Sequence, residues 1–234
     1  MKVRAIIFAY DRSAMLLNLL RQLRGSGKFE SIVVYDDAST FDASEHVQLC
    51  TEYWRNDQNQ GKRNFWKQWA RALEYCKDNP ADMFVFMPDD FQNFDIDLAV
   101  FLHKSIVGGS GKYAPGQKLY AFNIINCGRT ACWTPMHKHS KNVGGVKVSG
   151  VGFVDCGFFC NPSALGVLNY NIQEVPAGWF DSPAKSSGVG MQLSKRFYTA
   201  GVSMYQPVKS LAYHGDHESK MHPQERKRNP LISK

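Results

Sequence analysis

Three short apolar segments, each followed by a polar loop, constrain the fold of this 234-residue chain most strongly. The segments are VRAIIFA, SIVVY and MFVFM, and the loops that follow are AYDR (9–12), YDDAST (35–40) and MPDDFQ (87–92). Apolar runs of this length, rich in β-branched and aromatic residues, predict buried strands. Helical spacing of apolar residues between them, at Met15–Leu23 and Phe65–Cys76, predicts helices. This alternation predicts an α/β fold with a mostly parallel sheet and ligand-binding loops at the strand carboxyl ends.

The second half of the chain has a different pattern. Helices are expected at 97–106 and 188–201, among short strands separated by glycine-rich turns. We expect a single domain over 1–234, with a nucleotide-binding half (1–97), an acceptor half (98–219) and a basic tail (220–234). An apolar content of 44% is enough for such a core. The GGSGK segment (108–112) lacks full phosphate-loop spacing and is interpreted as a turn.

Cysteine usage and hydropathy predict the compartment. The six cysteines form no C-x-x-C pair, and a chain of this length needs no disulfides, so we expect reduced thiols and a cytoplasmic protein. No apolar run approaches the ~20 residues of a membrane span, and the first residues suggest a strand rather than a cleavable signal.

The positive charge is concentrated in two segments. The chain has a formal net charge of +7, and residues 98–154 contain seven lysines and arginines without an Asp or Glu. The tail from residue 220 adds +4, so the two segments together carry +11 and the rest of the chain −4. This separation suggests a surface that faces an anionic partner. A solvated basic surface with a loose tail is the alternative.

Adjacent carboxylates follow two of the predicted strands, as Asp36–Asp37 and Asp89–Asp90. Like charges at the end of a buried strand are costly unless a cation or a hydroxyl-rich ligand meets them. Carboxylate oxygens suit Mg²⁺ or Mn²⁺, and such an ion could bridge a nucleotide diphosphate. Taken alone, a carboxylate at such a position could equally cap a helix or a turn.

The ordered set AIIFAYDR, SIVVYDDAST, NQGKRNFW and FVFMPDDF resembles the GT-A (Rossmann-like) glycosyltransferases, above all their family-2 branch. The resemblance spans roughly residues 3–95 and is looser beyond, through GFVDCGFFC, GMQLSKRFYTAG and a late histidine. It implies a UDP-sugar donor. The nucleotide-sugar-binding residues that it implies are Tyr10, Arg12, Asp36, Asp37, Gly61, Lys62, Arg63 and Asp89.

The resemblance also implies a Mn²⁺ or Mg²⁺ site. Asp90 aligns with the direct metal ligand of the family's D-x-D motif, although Pro88 stands in place of the first Asp. A late histidine near the diphosphate is a further family feature. His214 is the preferred ligand, with His217 and His222 as alternatives.

The catalytic base is where this chain departs from the family. Inverting family-2 enzymes carry an acidic pair before a D-L-x-x-R helix, and here Val189 and Gly190 occupy those positions. Either Asp181 or Asp155 supplies the base, or the enzyme retains anomeric configuration, with the donor phosphate taking the acceptor proton; retention is slightly favoured. Trp179 could stack on a sugar or anchor the core, and Asp155 could instead form a turn.

The acceptor is predicted from charge and general likeness. The basic segment and tail, including Arg226, Lys227 and Arg228, suit the phosphates of a polyanion. We expect a phage enzyme that glucosylates hydroxymethylated, or already glycosylated, pyrimidines in DNA within the host cytoplasm. A surface polysaccharide or lipid-linked sugar is the alternative acceptor. A non-catalytic nucleotide- or nucleic-acid-binding module, with its acidic loops as caps, is the alternative from another class.

Overall fold

A computed structural model describes residues 1–108, 118–126, 140–155, 157–181 and 187–215. Helices flank a nine-stranded mixed sheet, as the sequence predicted for the fold class. The elements of the first half are β1 Val3–Ala9, α1 Ser13–Ser26, β2 Ser31–Asp36, α2 Ser44–Leu49, β3 Glu52–Arg55, α3 Gly61–Asp78, β4 Met83–Pro88, β5 Phe91–Gln92 and α4 Ile96–Gly108. Those of the second half are β6 Tyr120–Asn123, β7 Ser140–Val143, β8 Val146–Gly150, β9 Phe158–Cys160, α5 Pro162–Gly166, a 3₁₀ turn Ala177–Asp181, α6 Val189–Thr199, β10 Ser203–Pro207 and β11 Tyr213–His214.

The first four strands of the sheet are parallel, in the order β3-β2-β1-β4. Ile6 at the centre of β1 lies opposite Val33 of β2 and Phe86 of β4. These strands are apolar on both faces because helices cover both sides of the sheet. Their parallel direction brings the loops 9–12, 35–40 and 87–92 to one edge of the sheet.

The second half continues the same sheet. Strand β9 lies antiparallel between β4 and β6, and β10 lies parallel to β6. The antiparallel strands β8 and β7 complete the far edge. A separate antiparallel ribbon joins β5 to β11. One hydrogen-bonded sheet therefore connects the proposed nucleotide and acceptor halves.

Two apolar layers hold the helices on the sheet. Helices α1 and α4 pack on one face, and α3 and α6 pack on the other. Trp69 of α3 is fully buried and stacks on Phe8 and Phe86, with ring centroids 4.7 and 4.9 Å apart. These aromatic contacts fix the position of α3 over the strands whose loops carry the acidic residues.

Several element boundaries differ from the prediction. Strand β4 includes Pro88, opposite Phe8, because a proline at the last position of a strand still contributes a carbonyl. Helix α3 begins at Gly61 rather than Phe65, because backbone N–H groups at its start donate to Asp37. Within the described residues, Cys50, Cys76 and Cys160 are free thiols and no helix has the length and hydropathy needed to span a bilayer.

Candidate active site

Arg12 contacts both of the adjacent carboxylates that follow β4. Its Nη1 atom donates to Oδ1 of Asp89 at 2.7 Å and lies 3.2 Å from Oδ2 of Asp90. Both acids are buried, and the backbone N–H of Tyr10 donates to the second oxygen of Asp89 at 2.9 Å. Tyr10 and Arg12, both in the loop 9–12 after β1, thus contact the acidic pair in the loop after β4. The Arg12 guanidinium lies next to the two acids that the sequence analysis assigned to metal and nucleotide-sugar binding.

Burial makes the Asp89 carboxylate costly to ionise. Burial is the largest cause and raises the pKa of Asp89 to about 7; the charge of Asp90 raises it further, and Arg12 opposes the shift. A second cation next to this pair would favour the charged form of both acids. The electrostatics of the loop therefore favour binding of a positive ion.

The short β5–β11 ribbon carries His214 to the acidic pair. His214 lies opposite Phe91, the residue after Asp90, and the two rings meet edge to face with centroids 5.0 Å apart. The Nδ1 atom of His214 is 3.4 Å from Oδ1 of Asp90. The N–H of Gly215 donates to the Asp90 carbonyl at 2.7 Å and so fixes the end of the ribbon. The histidine preferred from the sequence is therefore adjacent to the acid that was assigned to the metal.

Asp90 and His214 fit a divalent metal ion. Neighbouring ligands of an octahedral ion with bonds of about 2.1 Å are roughly 3 Å apart, close to the observed spacing. The Nδ1 atom of His214 is buried and makes no hydrogen bond within the described residues. In that part of the chain no group of three or more His, Cys, Asp or Glu side chains is arranged to hold a metal ion, so other ligands would come from the donor and water. His217 and His222 lie outside the described residues.

Asp36 is held by contacts within the protein. It is 1% exposed, and its oxygens accept hydrogen bonds from the backbone N–H of Ser39 at 2.9 Å, the Tyr53 hydroxyl at 2.7 Å and Arg55 Nε at 2.7 Å. These bonds join the ends of β2 and β3 and shape the second loop. Contact between Asp36 and a nucleotide remains a prediction.

Asp37 binds the beginning of α3. Its carboxylate accepts the backbone N–H groups of Gln60 and Gly61, both at 2.8 Å, and the Asn56 amide at 2.9 Å. The capping interpretation of the acidic loops is thus realised at Asp37. Gly61 has φ +60°, in the left-handed region that favours glycine. The nucleotide contacts expected of Asp37 and Gly61 stay predictions.

The other residues predicted to bind the nucleotide lie at the same edge. Tyr10 is half-buried at the end of β1. Lys62 is half-buried and Arg63 exposed, and both lie in the first turn of α3. The structure thus collects residues of the four sequence motifs around the carboxyl ends of β1, β2 and β4.

The proposed catalytic and acceptor residues of the second half are partly described. Asp155 is exposed, and its backbone N–H donates to Asn123 Oδ1 at 3.1 Å. Asp181 is exposed at the end of the 3₁₀ turn. Trp179 is half-buried, with Nε1 3.1 Å from the point where a side chain on Gly188 would begin. Arg226, Lys227 and Arg228 lie outside the described residues, so their acceptor contacts remain predictions.

Sequence reasoning missed two features of this site. It assigned Arg12 to the nucleotide sugar and did not find its contact with Asp89 and Asp90. It also missed the tight packing below the acidic loop, where a side chain on Gly157 would begin 2.4 Å from the Phe91 ring. The sequence contains no signal for the first, because Arg12 and Asp89 are 77 positions apart and only the fold brings them together.

The fold places this chain among structures of the GT-A type. S. aureus TarS 1–349 superposes with a TM-score of 0.56 at 15% identity, over 92% of this chain and 60% of that one. M. tuberculosis glucosyl-3-phosphoglycerate synthase, in complex with Mn²⁺, UDP-glucose and glycerol 3-phosphate, gives 0.52 at 14% identity, over 92% of this chain and 73% of that one. The same synthase with Mn²⁺, UDP and glucosyl-3-phosphoglycerate gives 0.51 at 13% identity, with coverages of 92% and 72%.

These similarities establish the GT-A fold. The chain spans about 60% of the TarS structure, so much of that molecule has no counterpart in it. No protein-family model matches the chain, and no curated protein matches it by sequence.

Proposed function

We propose that this protein is a metal-dependent glycosyltransferase that moves a hexose, glucose in our assignment, from a UDP-sugar to an acceptor hydroxyl. The observation that carries the proposal is the Asp90–His214 pair, 3.4 Å apart at the edge where the β1, β2 and β4 loops meet. The synthase structures of the same fold, with Mn²⁺ and UDP or UDP-glucose, support the choice of metal and donor.

Each element of the site has a role in this proposal. Asp90 and His214 hold Mn²⁺ or Mg²⁺, which neutralises diphosphate charge as the sugar leaves. Tyr10 and Asp37 border the nucleotide base and ribose, with Lys62 and Arg63 near the phosphates. Arg12 and Asp89 keep the acidic loop in position, since Arg12 contacts both acids.

Asp90→Asn tests the metal assignment. The amide has nearly the same shape but no anionic oxygen for a divalent ion, so we expect transfer and Mn²⁺-dependent donor hydrolysis to be lost while the protein stays folded. Asp97→Asn is the control, because Asp97 is an exposed acid that pairs with Lys28 on the surface. Near-normal turnover by Asp90→Asn at saturating Mn²⁺ would refute the assignment. No hydrolysis by the wild type, with or without Mn²⁺, would favour a non-catalytic nucleotide-binding module.

The acceptor proposal is a hydroxymethylated, or already glycosylated, pyrimidine in phage DNA. Its support is the absence of acids from residues 98–154 and the basic tail. A hydroxymethyl group on a pyrimidine C5 projects into the major groove, so an enzyme could reach it without flipping the base. Incubating hydroxymethylated duplex DNA with labelled UDP-sugars tests the chemistry. Absence of label in DNA, together with no gel shift at low salt, would favour a polysaccharide or lipid-linked acceptor.

Retention of anomeric configuration is the proposed stereochemistry. Its support is the lack of an acidic side chain at Val189 and Gly190. In a retaining reaction the donor phosphate takes the acceptor proton, and Asp155 and Asp181 contact substrate without acting as base. NMR of the anomeric proton of the product decides between the outcomes. An inverted product, with a loss of 10²–10⁴-fold in kcat for Asp155→Asn or Asp181→Asn, would identify a general base and overturn retention.

A further inference from the structure

A polar cavity lies between the end of β3 and the outward face of α3, on the edge of the sheet away from the second half. Its volume is about 480 Å³, within the range of small-molecule sites. Strand β3 is three positions from β4 in the sheet, roughly 14 Å at the ~4.8 Å strand spacing. The cavity is therefore separate from the Asp90–His214 pair.

The charge of the cavity lining is positive. Arg55, Lys67 and Arg71 line it against one carboxylate, that of Asp57. Arg55 is partly neutralised by Asp36, whereas neither Lys67 nor Arg71 forms an ion pair with any residue that the structure describes. Two cations with no carboxylate partner, on successive turns of one helix, favour an anionic ligand.

A buried amide in the lining also indicates a ligand. Gln68 is 3% exposed, and its Nε2 atom has no hydrogen-bond partner in the described part of the chain. A buried N–H group without a partner is destabilising. This one is closed to solvent, so a rotation of the Gln68 side chain towards the cavity would let a ligand oxygen satisfy it. Asn56 adds a second amide next to Arg71, whose Nη1 donates to it at 2.9 Å.

We propose that this cavity binds a phosphate monoester carried by a small, hydroxyl-rich molecule of the sugar-phosphate class. Arg71 and Lys67 would bind the dianionic phosphate, and Gln68 and Asn56 would bind hydroxyl or ester oxygens. The volume exceeds what a bare phosphate needs, which favours the larger molecule. The binding proposal does not depend on the proposed transferase activity.

The cavity is also connected to the loop that begins α3. Arg71 contacts Asn56, and the Asn56 amide in turn donates to Asp37, which binds the start of the helix. A phosphate that draws Arg71 away from Asn56 would change a contact of the proposed nucleotide loop. Ligand binding at the cavity is thus positioned to affect the donor site from outside it.

Isothermal titration of the full chain tests the site, with glucose 1-phosphate, inorganic phosphate and glucose as probes. We expect glucose 1-phosphate to bind most tightly, inorganic phosphate more weakly and glucose not at all. Arg71→Gln should weaken phosphate binding about tenfold, because it removes a charged donor. Lys77→Gln is the matched control: it makes the same change in charge on an exposed residue of α3 outside the cavity and should bind as the wild type does.

Further variants and competitors keep the test specific. Gln68→Leu should weaken glucose 1-phosphate binding several-fold without lowering the melting temperature, which separates ligand binding from a structural role. Saturating UDP can change the affinity for the sugar phosphate through Asn56 and Asp37, but the two ligands should bind together and not compete for one site. Competitive displacement by UDP, absence of phosphate binding, or equal effects of Arg71→Gln and Lys77→Gln would each overturn the proposal. Competition by a short duplex DNA, lost in Arg71→Gln, would instead assign the cavity to phosphodiesters.

Discussion

Removing the Arg12 guanidinium should destabilise the protein strongly. Its side chain is 14% exposed, and those of Asp89 and Asp90 are 3% and 10% exposed. Arg12→Gln removes the guanidinium that contacts two buried carboxylates, and loss of one partner from a buried ion pair costs about 3–5 kcal/mol. For a chain of this length we expect the melting temperature to fall by roughly 10 °C, measured by calorimetry at pH 8 without metal.

Arg21, an exposed arginine of helix α1, provides the matched control for the loss of a guanidinium. Arg21 pairs with Glu45, and both side chains are 55% exposed. Because water already solvates these charges, Arg21→Gln should cost less than about 1 kcal/mol, or no more than about 4 °C. An Arg12→Gln protein that melts within a degree or two of Arg21→Gln would refute the counter-ion role of Arg12.

The pH dependence of the same variant gives a second check. The pKa of Asp89 is about 7 in the folded protein, above the ~3.9 of an unfolded chain. Between these two pKa values the folded state binds more protons than the unfolded chain. The contribution of Asp89 to the free energy of unfolding is therefore fully present below about pH 4 and is lost as the pH rises to about 7. Without Arg12 this pKa should rise further. The deficit of Arg12→Gln relative to wild type should therefore shrink between pH 8 and pH 5.5, and a constant deficit would contradict the electrostatic cause.

Three other predictions address the metal site, the packing below the acidic loop and the acceptor. His214→Ala should raise the Mn²⁺ concentration needed for half-maximal activity, and EDTA should abolish activity until Mn²⁺ is restored; if only His217→Ala has this effect, the metal ligand is the other histidine. Gly157→Ala should cost about 1–3 kcal/mol in a melting experiment, because the new methyl group would begin 2.4 Å from the Phe91 ring. Replacing residues 226–228 with alanine should reduce the slope of log affinity for duplex DNA against log salt by up to about three units, measured by gel shift, and an unchanged slope would exclude them from phosphate contact.

The parallel strands and the sheet edge could be predicted because their signals are local. Strand β1 has the predicted bounds, Val3–Ala9, since an apolar run buried on both faces leaves little ambiguity. Once the strands are parallel, geometry alone brings Asp37 and Asp90 to one edge. His214 also follows a strand-like segment, although its two-residue ribbon with β5 was not predicted.

The charge balance of the site could not be predicted because it depends on contacts between distant residues. Arg12 and Asp89 are 77 positions apart, and their pairing follows from the β1–β4 register rather than from any motif. Asp36 and Asp37 are neighbours in sequence, yet they have separate partners. Asp36 accepts a hydrogen bond from Arg55 of β3, and Asp37 accepts one from the first N–H group of α3. Adjacent acids with separate structural partners look the same in sequence as a pair that shares one ligand.

Close packing at Gly190 opposes an acidic side chain at a position where the resemblance implies a catalytic acid. A side chain on Gly190 would begin 3.0 Å from the Val154 carbonyl, so an acid cannot be placed there without moving the 153–155 segment. Ser194 holds that segment, since its hydroxyl accepts the Val154 N–H at 2.8 Å. The close approach also puts the Asp155 Cα 3.7 Å from the same point. A carboxylate is thus absent at the position where the resemblance to inverting family-2 enzymes implies one. The Asp155 backbone lies beside that position, so Asp155 is the first carboxylate to replace when a substrate contact is tested.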